Sequence, residues 1–331
     1  MEKILIIGSN SFSGSAFARH ALLNNFEVIG VSRSVESNAV FLPHQWLDAK
    51  QRQCYQFHQK DLNHDLDALL DLISKEKPAY IVNFAAQSMV AESWAQPVDW
   101  MMTNVVSTIK FHDQLRKCEF LKKYVHISTP EVYGSCQGLV PTTMHYNPST
   151  PYAVSRAAGD MWLSAIHKNY QFPVVFTRAA NVYGPGQQLY RIIPKTILSI
   201  KLGMKLPLHG GGHSVRSFIH IDDVADGTLR ALQKANPGDI YHFSTTENIA
   251  IRDIVKLICN RLDVKFEDVV NITEDRPGKD AAYLLDAKDS YLKLAWKDSI
   301  SLEKGIDETI AWVDRHLSKL KTIPFEYIHK S

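Results

Sequence analysis

The chain has 331 residues, of which 45% are hydrophobic and 22% are charged, as in a globular protein with one large core and a smaller lobe. The 37 basic and 35 acidic residues leave a net charge of +2, without the excess of cations that a nucleic-acid binder needs. No apolar run approaches the roughly 20 residues of a membrane helix. The four cysteines are widely spaced and form no CxxC pair, which predicts reduced thiols in the cytoplasm.

Short β-rich runs alternate with helical spacing through the first half of the chain. The predicted elements, in chain order, are strand Ile4–Ile7, helix Ser15–Asn24, strand Glu27–Val31, helix Leu66–Ser74, strand Tyr80–Phe84, helix Val98–Lys117, strand Tyr124–Ser128, helix Tyr152–Asn169 and strand Val174–Arg178. This alternation predicts the α/β class, as a Rossmann doubly wound parallel sheet with helices on both faces.

The alternation loosens after Gly184, where glycine clusters and short strands precede two helical stretches, Ile251–Leu262 and Leu302–His316. We predict a smaller α/β substrate-binding lobe there and expect Ile219–Lys234 to return to the sheet. The expected division gives the larger domain residues 1–183 with a return segment 219–245. The lobe then takes residues 184–218 and 246–331.

A glycine-containing loop, Gly8-Ser9-Asn10-Ser11-Phe12-Ser13-Gly14, joins the first strand to the first helix. A tight turn at that place points backbone N–H groups and the helix N-terminus at a pyrophosphate. Ser11 replaces the middle glycine of the usual motif, and the P-loop lysine is missing, which argues against an NTPase. The alternative is a plain turn between strand and helix. The residues predicted to bind a dinucleotide here are Gly8, Asn10, Ser11, Phe12 and Gly14.

The second strand ends in Val31-Ser32-Arg33-Ser34, where an NAD-binding protein is expected to carry an acidic residue. Arg33 instead offers a cation, and Ser32 and Ser34 offer hydroxyls. A guanidinium pairs well with a ribose 2′-phosphate through charge-assisted hydrogen bonds. This pattern predicts NADP as the cofactor, with NAD as the alternative and a solvated surface arginine as the non-functional one.

The segment Ser128-Thr129-Pro130-Glu131-Val132-Tyr133-Gly134 follows a strand end, where an open α/β sheet places its chemistry. Farther along, Tyr152 and Arg156 lie four residues apart at the start of a helix and so share one face. A tyrosine has an ordinary pKa of about 10. A fixed cation beside it favours the phenolate, which makes Tyr152 a candidate general base.

At these residues the chain resembles the extended short-chain dehydrogenases/reductases, and among them the nucleoside-diphosphate-sugar 4,6-dehydratases of the GDP-mannose and dTDP-glucose type. The resemblance runs nearly from end to end. It rests on Gly8–Gly14, Asp61-Leu62, Asn83–Ser88, Asn104, Ser128–Gly134, Tyr152–Arg156, Arg178–Pro185, Arg216–Asp223 and Asp275–Asp280.

The resemblance implies a reaction without net redox. NADP+ is expected to accept a hydride from sugar C4 while Tyr152 removes the hydroxyl proton and Thr129 hydrogen-bonds that hydroxyl. Glu131 is expected to remove the C5 proton, after which water leaves from C6 and the hydride returns there. The product is a 4-keto-6-deoxy sugar. The implied catalytic residues are Thr129, Glu131, Tyr152 and Arg156.

The same resemblance assigns binding residues. For the cofactor it implies Asp61, Leu62, Ala85, Ala86, Ser88 and Asn104, together with Tyr152 and Arg156. For the nucleotide sugar it implies Ser88, Thr129, Glu131, Asn181, Arg191, Arg216 and Arg276. It also implies a homodimer, joined through a four-helix bundle of Val98–Lys117 and Tyr152–Asn169. No metal site is expected, because His209 and His213 lack a third ligand at suitable spacing.

Three positions depart from the family pattern. Pro130 stands where many dTDP-glucose dehydratases carry an aspartic acid, Arg156 replaces the usual lysine, and Met89 replaces a frequent histidine. Other activities therefore remain as alternatives: decarboxylation of UDP-glucuronate, oxidation or epimerisation at C4, or a non-catalytic NADP-binding regulator. The carboxylate of Glu131 favours the dehydratase, since similar 4-epimerases generally have none there.

Overall fold

A computed structural model describes residues 1–136, 138–274 and 284–329. The strands in these ranges are β1 Lys3–Ile7, β2 Glu27–Ser32, β3 Tyr55–Gln59, β4 Tyr80–Asn83, β5 Lys123–Ile127, β6 Leu139–Val140, β7 Val174–Ala179, β8 Asn181–Tyr183, β9 Leu206–His209, β10 Val215–Arg216, β11 Phe218–His220, β12 Ile240–Phe243, β13 Ile249–Ala250, β14 Val270–Thr273 and β15 Leu284–Leu285.

The α-helices of the described ranges are α1 Phe12–Leu23, α2 Ala49–Arg52, α3 Leu66–Glu76, α4 Val90–Ala95, α5 Pro97–Met101, α6 Thr108–Leu115, α7 Pro151–Tyr170, α8 Ile192–Lys201, α9 Ile221–Lys234, α10 Ile251–Arg261, α11 Phe266–Val269, α12 Lys288–Leu294 and α13 Leu302–Leu320. A π-helical stretch, Met102–Ser107, joins α5 to α6 without a break. A short 3₁₀ turn, Pro130–Tyr133, follows β5.

Seven parallel strands form the central sheet in the order β3-β2-β1-β4-β5-β7-β12. The order reverses between β1 and β4, so the loops after these two strands diverge and leave a crevice at their carboxyl ends. The predicted Rossmann sheet is thus confirmed. Its reversal point decides where the functional loops meet.

Both faces of this sheet are buried, which explains why β1 is an uninterrupted apolar run. Leu5 and Ile7 face a core that α3, α6 and α7 complete. Ile4 and Ile6 face the opposite core, completed by α1 and α9. Alternate residues of one strand therefore stabilise two separate layers.

The second half of the chain builds a smaller core from helices and two-stranded sheets. Helices α8, α10 and α13 meet there around Ile197, Ile254 and Val313. The strands of two or three residues pair with segments distant in sequence. Strand β8 pairs with β11 in parallel, and β10 pairs with β13 antiparallel. The predicted α/β lobe is therefore helical in its core, and the exact domain division stays a prediction.

The segment expected to return to the sheet does so differently from the prediction. Ile219 and His220 belong to β11, and the stretch that follows is helix α9, which covers the sheet face. The strand that rejoins the sheet is β12, which pairs with β7. The predicted return segment 219–245 thus contains both the helix on the sheet face and the strand that rejoins the sheet.

Beyond α13 the chain crosses back to the first half of the molecule. Ile323 and Phe325 pack on the smaller core. His329 stacks on Trp100 of α5, with ring centres 5.1 Å apart, and its Nε2 lies 2.9 Å from a carboxylate oxygen of Asp99. This C-terminal segment, residues 321–329, thereby joins the two halves at the rim of the crevice.

Candidate active site

The loop between β1 and α1 is held by Ser11. Its hydroxyl donates to the Gly8 carbonyl at 2.7 Å and accepts from the Gly14 N–H at 3.0 Å, which caps α1. Ser11 has an ordinary backbone conformation with φ −73°, so the position does not require glycine. Ser11, which replaces the middle glycine of the usual motif, therefore stabilises the turn.

Gly8 and Gly14 do need to be glycines. Gly8 has φ +83°, and a Cβ there would lie 2.7 Å from the backbone nitrogen of Ala85. A Cβ on Gly14 would lie 2.2 Å from the Gly8 carbonyl oxygen. The backbone of this loop therefore lies close to the loop after β4. Because Gly8 and Gly14 have no side chains, the N-terminus of α1 stays open to a ligand.

A cavity of about 310 Å³ opens at the carboxyl ends of β1, β2 and β4. Most of the predicted cofactor residues line it: Gly8, Asn10, Ser11, Ser32, Arg33, Ser34, Asp61, Leu62, Ala85 and Ala86. The crevice at the sheet's reversal point, the glycine cradle and this lining fit one end of a dinucleotide. Phe12 does not line the cavity and packs instead with Ala16 and Ile221.

The end of β2 is organised by Asn10. Its side-chain N–H groups donate to the carbonyl oxygens of Ser34 and Val35 at 2.9 and 3.0 Å, and its backbone N–H donates to the Ser32 hydroxyl at 2.9 Å. Asn10 therefore shapes the loop that carries Arg33. Lys60, which the sequence did not single out, lines the same part of the cavity and adds a second cation beside Arg33.

Asn104 lies in the π-helical stretch, and both N–H groups of its side chain are used within the protein. They donate to the Gln87 carbonyl and to the Ser155 hydroxyl, each at 2.9 Å, while its side-chain oxygen accepts from the Gln87 N–H. Asn104 therefore ties the loop after β4 to α7. Ser88, next in that loop, is exposed.

The predicted catalytic residues meet where β5 ends and α7 begins. Thr129 caps the 3₁₀ turn by accepting from the Glu131 N–H at 3.3 Å. Thr150 caps α7 through the Ala153 N–H, which places Tyr152 in the first turn. Tyr152 is 8% exposed and Thr129 is 7% exposed, and the hydroxyl of Thr129 is close enough to lower the pKa of the Tyr152 phenol. One proton-accepting group is thereby fixed beside a hydroxyl and a carboxylate.

The surroundings of Tyr152 act on its pKa in opposite directions. Burial raises the pKa of the Tyr152 phenol above its ordinary value, and the nearby Glu131 carboxylate raises it further. The charge of Arg156, the hydrogen bond of Thr129 and the charge of Arg191 lower it. The two cations therefore offset part of the cost of a buried phenolate.

Arg156 is 4% exposed and is held from behind by strand β5. Its Nη2 donates to the Ile127 carbonyl oxygen and contacts Nε2 of His126 at 3.2 Å. Farther along the same face of α7, Asp160 is fully buried, with Oδ1 3.3 Å from His126 Nε2 and Oδ2 2.8 Å from Nη2 of Arg178. The sequence reasoning missed His126 and Asp160, although the four-residue spacing from Tyr152 through Arg156 to Asp160 was available as a signal.

The predicted substrate residues lie across the crevice. The Asn181 side chain donates to the carbonyl oxygen of Ser217 at 3.3 Å, which places it next to Arg216. Arg191 is exposed at the N-terminal end of α8 and acts electrostatically on Tyr152. The structure thus brings the charge of Arg191 near Tyr152 and places Asn181 beside the strand of Arg216. Arg276 lies outside the described residues.

Two absences concern the described part of the chain. No group of three or more His, Cys, Asp or Glu side chains there is arranged to hold a metal ion. Among the helices of the same ranges, none combines the length and the apolar character needed to cross a bilayer.

Sequence comparison places the chain among known proteins. Residues 5–309 match the family described as GDP-mannose 4,6 dehydratase. A probable dTDP-glucose 4,6-dehydratase of Sinorhizobium fredii is 31% identical, over 94% of this chain and 92% of its own. The dTDP-glucose 4,6-dehydratase of Haemophilus influenzae is 29% identical, over 94% and 98%.

Structural comparison agrees with the sequence. The dTDP-glucose 4,6-dehydratase DesIV of Streptomyces venezuelae, solved with NAD and TYD bound, superposes with a TM-score of 0.87 at 29% identity. The superposition covers 96% of this chain and 98% of that one. The similarity therefore extends over both halves of the molecule.

Proposed function

The chain belongs to the GDP-mannose 4,6-dehydratase family, and we propose that it converts a nucleoside-diphosphate hexose into its 4-keto-6-deoxy derivative. The observation that carries this proposal is the cluster of Thr129, Glu131 and Tyr152 at one strand end. A general base for a sugar hydroxyl and a second base for a carbon acid are what the reaction requires. An epimerase needs only the first.

Each side chain of the cluster has a role in the chemistry. A bound nicotinamide dinucleotide supplies hydride acceptance from C4 and hydride return to C6. Tyr152 removes the proton of the C4 hydroxyl, which Thr129 orients through its own hydroxyl. The C4 ketone makes the C5 hydrogen acidic, and Glu131 removes it. Arg156 keeps a positive charge beside the phenolate of Tyr152.

Loss of the C6 hydroxyl requires a proton donor. Pro130 has no side-chain proton, so it cannot act as the acid. Glu131 carries the C5 proton after the elimination begins, and we propose that it passes this proton to the leaving hydroxyl. One carboxyl group then serves first as base and then as acid, which balances the protons of the elimination. Hydride return to C6 requires a proton at C5, and the proton that Tyr152 took from the C4 hydroxyl balances it.

We propose NADP as the cofactor. Arg33 and Lys60 together place two cations at the end of β2, with Ser34 and Ser37 beside them on the cavity wall. Two cations compensate a 2′-phosphate well, whereas a ribose hydroxyl has no use for them. Titration of protein fluorescence is expected to give a lower Kd for NADP+ than for NAD+. Arg33→Ala is expected to lose that preference, by about tenfold in the ratio of the two Kd values. Tighter binding of NAD+ to the wild-type protein would overturn the assignment.

We also propose a homodimer joined through α5, α6 and α7. Met102 and Val106 are exposed on the α5–α6 side, and Val154 and Met161 are exposed on α7. These helices pack side by side, and we propose that the four side chains lie on one apolar face. Met161→Glu is expected to yield monomers in sedimentation, whereas Leu292→Glu, at an equally exposed residue of α12, should leave the dimer intact. Sedimentation of the wild-type protein as a monomer at micromolar concentration would contradict the proposal.

Among the described residues no disulfide joins Cys54, Cys118, Cys136 or Cys259. Reduced thiols fit a reducing compartment. We propose the cytoplasm as the location.

The first experiment is an incubation of the purified protein with GDP-, UDP-, CDP- and dTDP-hexoses, N-acetylhexosamines and UDP-glucuronate, followed by mass spectrometry of the products. A product lighter by one water, without net reduction of cofactor, is expected from one nucleotide class. That class identifies the substrate. Glu131→Gln serves as the control, because it should bind the same substrate without releasing water.

Other outcomes would replace the proposal. A product lighter by one carbon dioxide from UDP-glucuronate would mean decarboxylation. A product lighter by two hydrogens, with reduced cofactor accumulating, would mean oxidation at C4. No product from any sugar despite bound cofactor would favour a regulator.

A further inference from the structure

One face of α7 carries three polar residues at four-residue intervals, from the crevice into the interior. Tyr152 is at the crevice, Arg156 lies one turn behind it, and Asp160 lies one turn farther and is fully buried. Because residues four apart lie above one another on a helix, the three side chains form a row. His126 of β5 meets this row between Arg156 and Asp160.

The guanidinium of Arg156 is fixed at one end. Its Nη2 donates to the carbonyl oxygen of Ile127 and lies 3.2 Å from Nε2 of His126. Burial lowers the pKa of His126, the charges of Arg156 and Arg178 lower it further, and Asp160 opposes them. In its neutral form with the proton on Nδ1, the His126 ring accepts a hydrogen bond at Nε2 from the Arg156 guanidinium.

Asp160 supplies the negative charge behind this contact. Its Oδ2 accepts from Ser128 at 2.6 Å, from Arg178 at 2.8 Å and from Tyr146 at 3.2 Å. Its Oδ1 has no hydrogen-bond donor among the described residues and faces His126 at 3.3 Å. The carboxylate is thus immobilised, with one oxygen directed at the His126–Arg156 contact.

We propose that His126 and Asp160 are positioning residues, which hold the Arg156 guanidinium at the distance where its charge stabilises the Tyr152 phenolate. The proposal rests on the function proposed above. An arginine is a long, planar cation that remains charged at every working pH. Without a fixed anchor, its charge would move away from Tyr152, and a buried cation without a counter-charge is costly.

The pH at which Tyr152 becomes a base depends on the charged groups around it. Tyr152 faces Arg156, Glu131 and Arg191. His126 faces Asp160, Arg156 and Arg178, and its ring lies 6.3 Å from those of His112 and Tyr124. Loss of the His126 anchor therefore acts on Tyr152 through Arg156, the charged group that the two residues share.

The test is His126→Phe, which removes the acceptor but keeps a ring in the core. With the anchor lost, the pKa of Tyr152 is expected to rise, so the acidic limb of the kcat profile should move upward by about one pH unit. His126→Gln restores an acceptor for Arg156 and should return the limb towards the wild-type pH. His112→Phe is the matched control, because His112 is equally buried and bonds Tyr124 instead. It should cost stability and leave the limb in place.

A double-mutant cycle separates positioning from general damage. In an Arg156→Ala background there is no cation left to hold, so adding His126→Phe should leave the acidic limb where Arg156→Ala alone put it. A further shift in that background would overturn the proposal. So would an unmoved limb in His126→Phe alone.

A readout without substrate keeps this test independent of the proposed function. The ultraviolet absorbance of tyrosinate, taken as the difference between each protein and its Tyr152→Phe counterpart, reports the ionisation of Tyr152 directly. The pKa so measured should be higher in His126→Phe than in the wild-type protein and in His112→Phe. If no nucleotide sugar is dehydrated but this difference appears, the function fails and the anchor stands. If dehydration occurs and the difference is absent, the anchor fails alone.

Discussion

The sheet side of the crevice buries Thr129 and Tyr152, whereas the lobe side presents its arginines with more exposure. Thr129 and Tyr152 are less than a tenth exposed and sit on caps and strand ends fixed by hydrogen bonds. Arg191 is exposed, and Arg216 is partly so on a two-residue strand. Bond-making groups need fixed geometry and a shifted pKa, while a diphosphate needs only accessible charge. The difference fits the proposed roles, with catalysis on the sheet side of the crevice and recognition on the lobe side.

Replacement of Tyr152 should reduce kcat more than any other single change on the sheet side of the crevice. Tyr152→Phe keeps the ring and its packing but removes the phenolic oxygen next to Thr129. We expect kcat to fall roughly a thousandfold, as for loss of a general base, with KM nearly unchanged. Steady-state kinetics test this, and the Kd for the cofactor should stay within about twofold of the wild-type value. A change in KM as large as the change in kcat would show that the two sides are not separable.

Replacement of Glu131, also on the sheet side, should separate the oxidation at C4 from the elimination of water. Glu131→Gln leaves Tyr152 able to start the oxidation at C4 but removes the base for C5. We expect the overall rate to fall about a hundredfold, while the absorbance of reduced nicotinamide rises transiently in stopped-flow measurements. A lower overall rate without that transient would mean that Glu131 also takes part in the oxidation at C4.

On the lobe side, Arg216→Ala should affect binding and not chemistry. The guanidinium is expected to hold the diphosphate equally in the ground state and the transition state, so its loss raises KM by about tenfold and leaves kcat almost unchanged. Arg252→Ala, another arginine of the same lobe with its side chain over Phe266, is the control. Unchanged substrate affinity in Arg216→Ala would remove this residue from the site.

The smallest effect compares two helix caps, one on each side. Ser11 caps α1 through the Gly14 N–H, and Ser301 caps α13 through the Lys304 N–H. Each change to alanine should cost about 1 kcal/mol of the free energy of unfolding, measured by chemical denaturation. Ser11→Ala alone should also weaken cofactor binding, because Ser11 holds the Gly8 turn. Equal cofactor affinity in both variants would mean that the turn is held by its backbone.

The two sides of the crevice also differ in how much of their secondary structure could be predicted from the sequence. Nine strands and helices of residues 3–179 were predicted within a few residues, because a buried parallel strand or a long amphipathic helix shows its period in the local sequence. The edge strand β3 and the short helices α2 and α4 were not predicted, because they are less buried and too short to show a period. A strand of two or three residues is too short to show an alternation of apolar and polar residues. The pairings of β8 with β11 and of β10 with β13 join distant segments, so no local signal marks them.

The candidate site shows the same division at the level of single residues. The sequence could identify Tyr152, Glu131 and Gly8, since each occupies a recognisable place between a strand and a helix. It could not identify His126 or Lys60. Their importance comes from the neighbours that the fold brings to them, Arg156 in one case and Arg33 in the other. Side chains whose role is to support another residue leave little trace in a single sequence.

The strand β12 has a practical consequence for anyone who wishes to recombine this enzyme with a relative. Because the chain leaves the sheet after β7, comes back at Ile240 and leaves it again after Phe243, the two parts share three junctions, and a chimera must be spliced at all three. A fragment that ended at Tyr183 would lack the neighbour of β7 and the helix that buries Val125 with Leu229 and Leu232. An open strand edge beside an uncovered apolar face invites aggregation. With the division predicted above, exchange of the smaller lobe should therefore replace residues 184–218 and 246–331 as two separate segments and not fuse two halves.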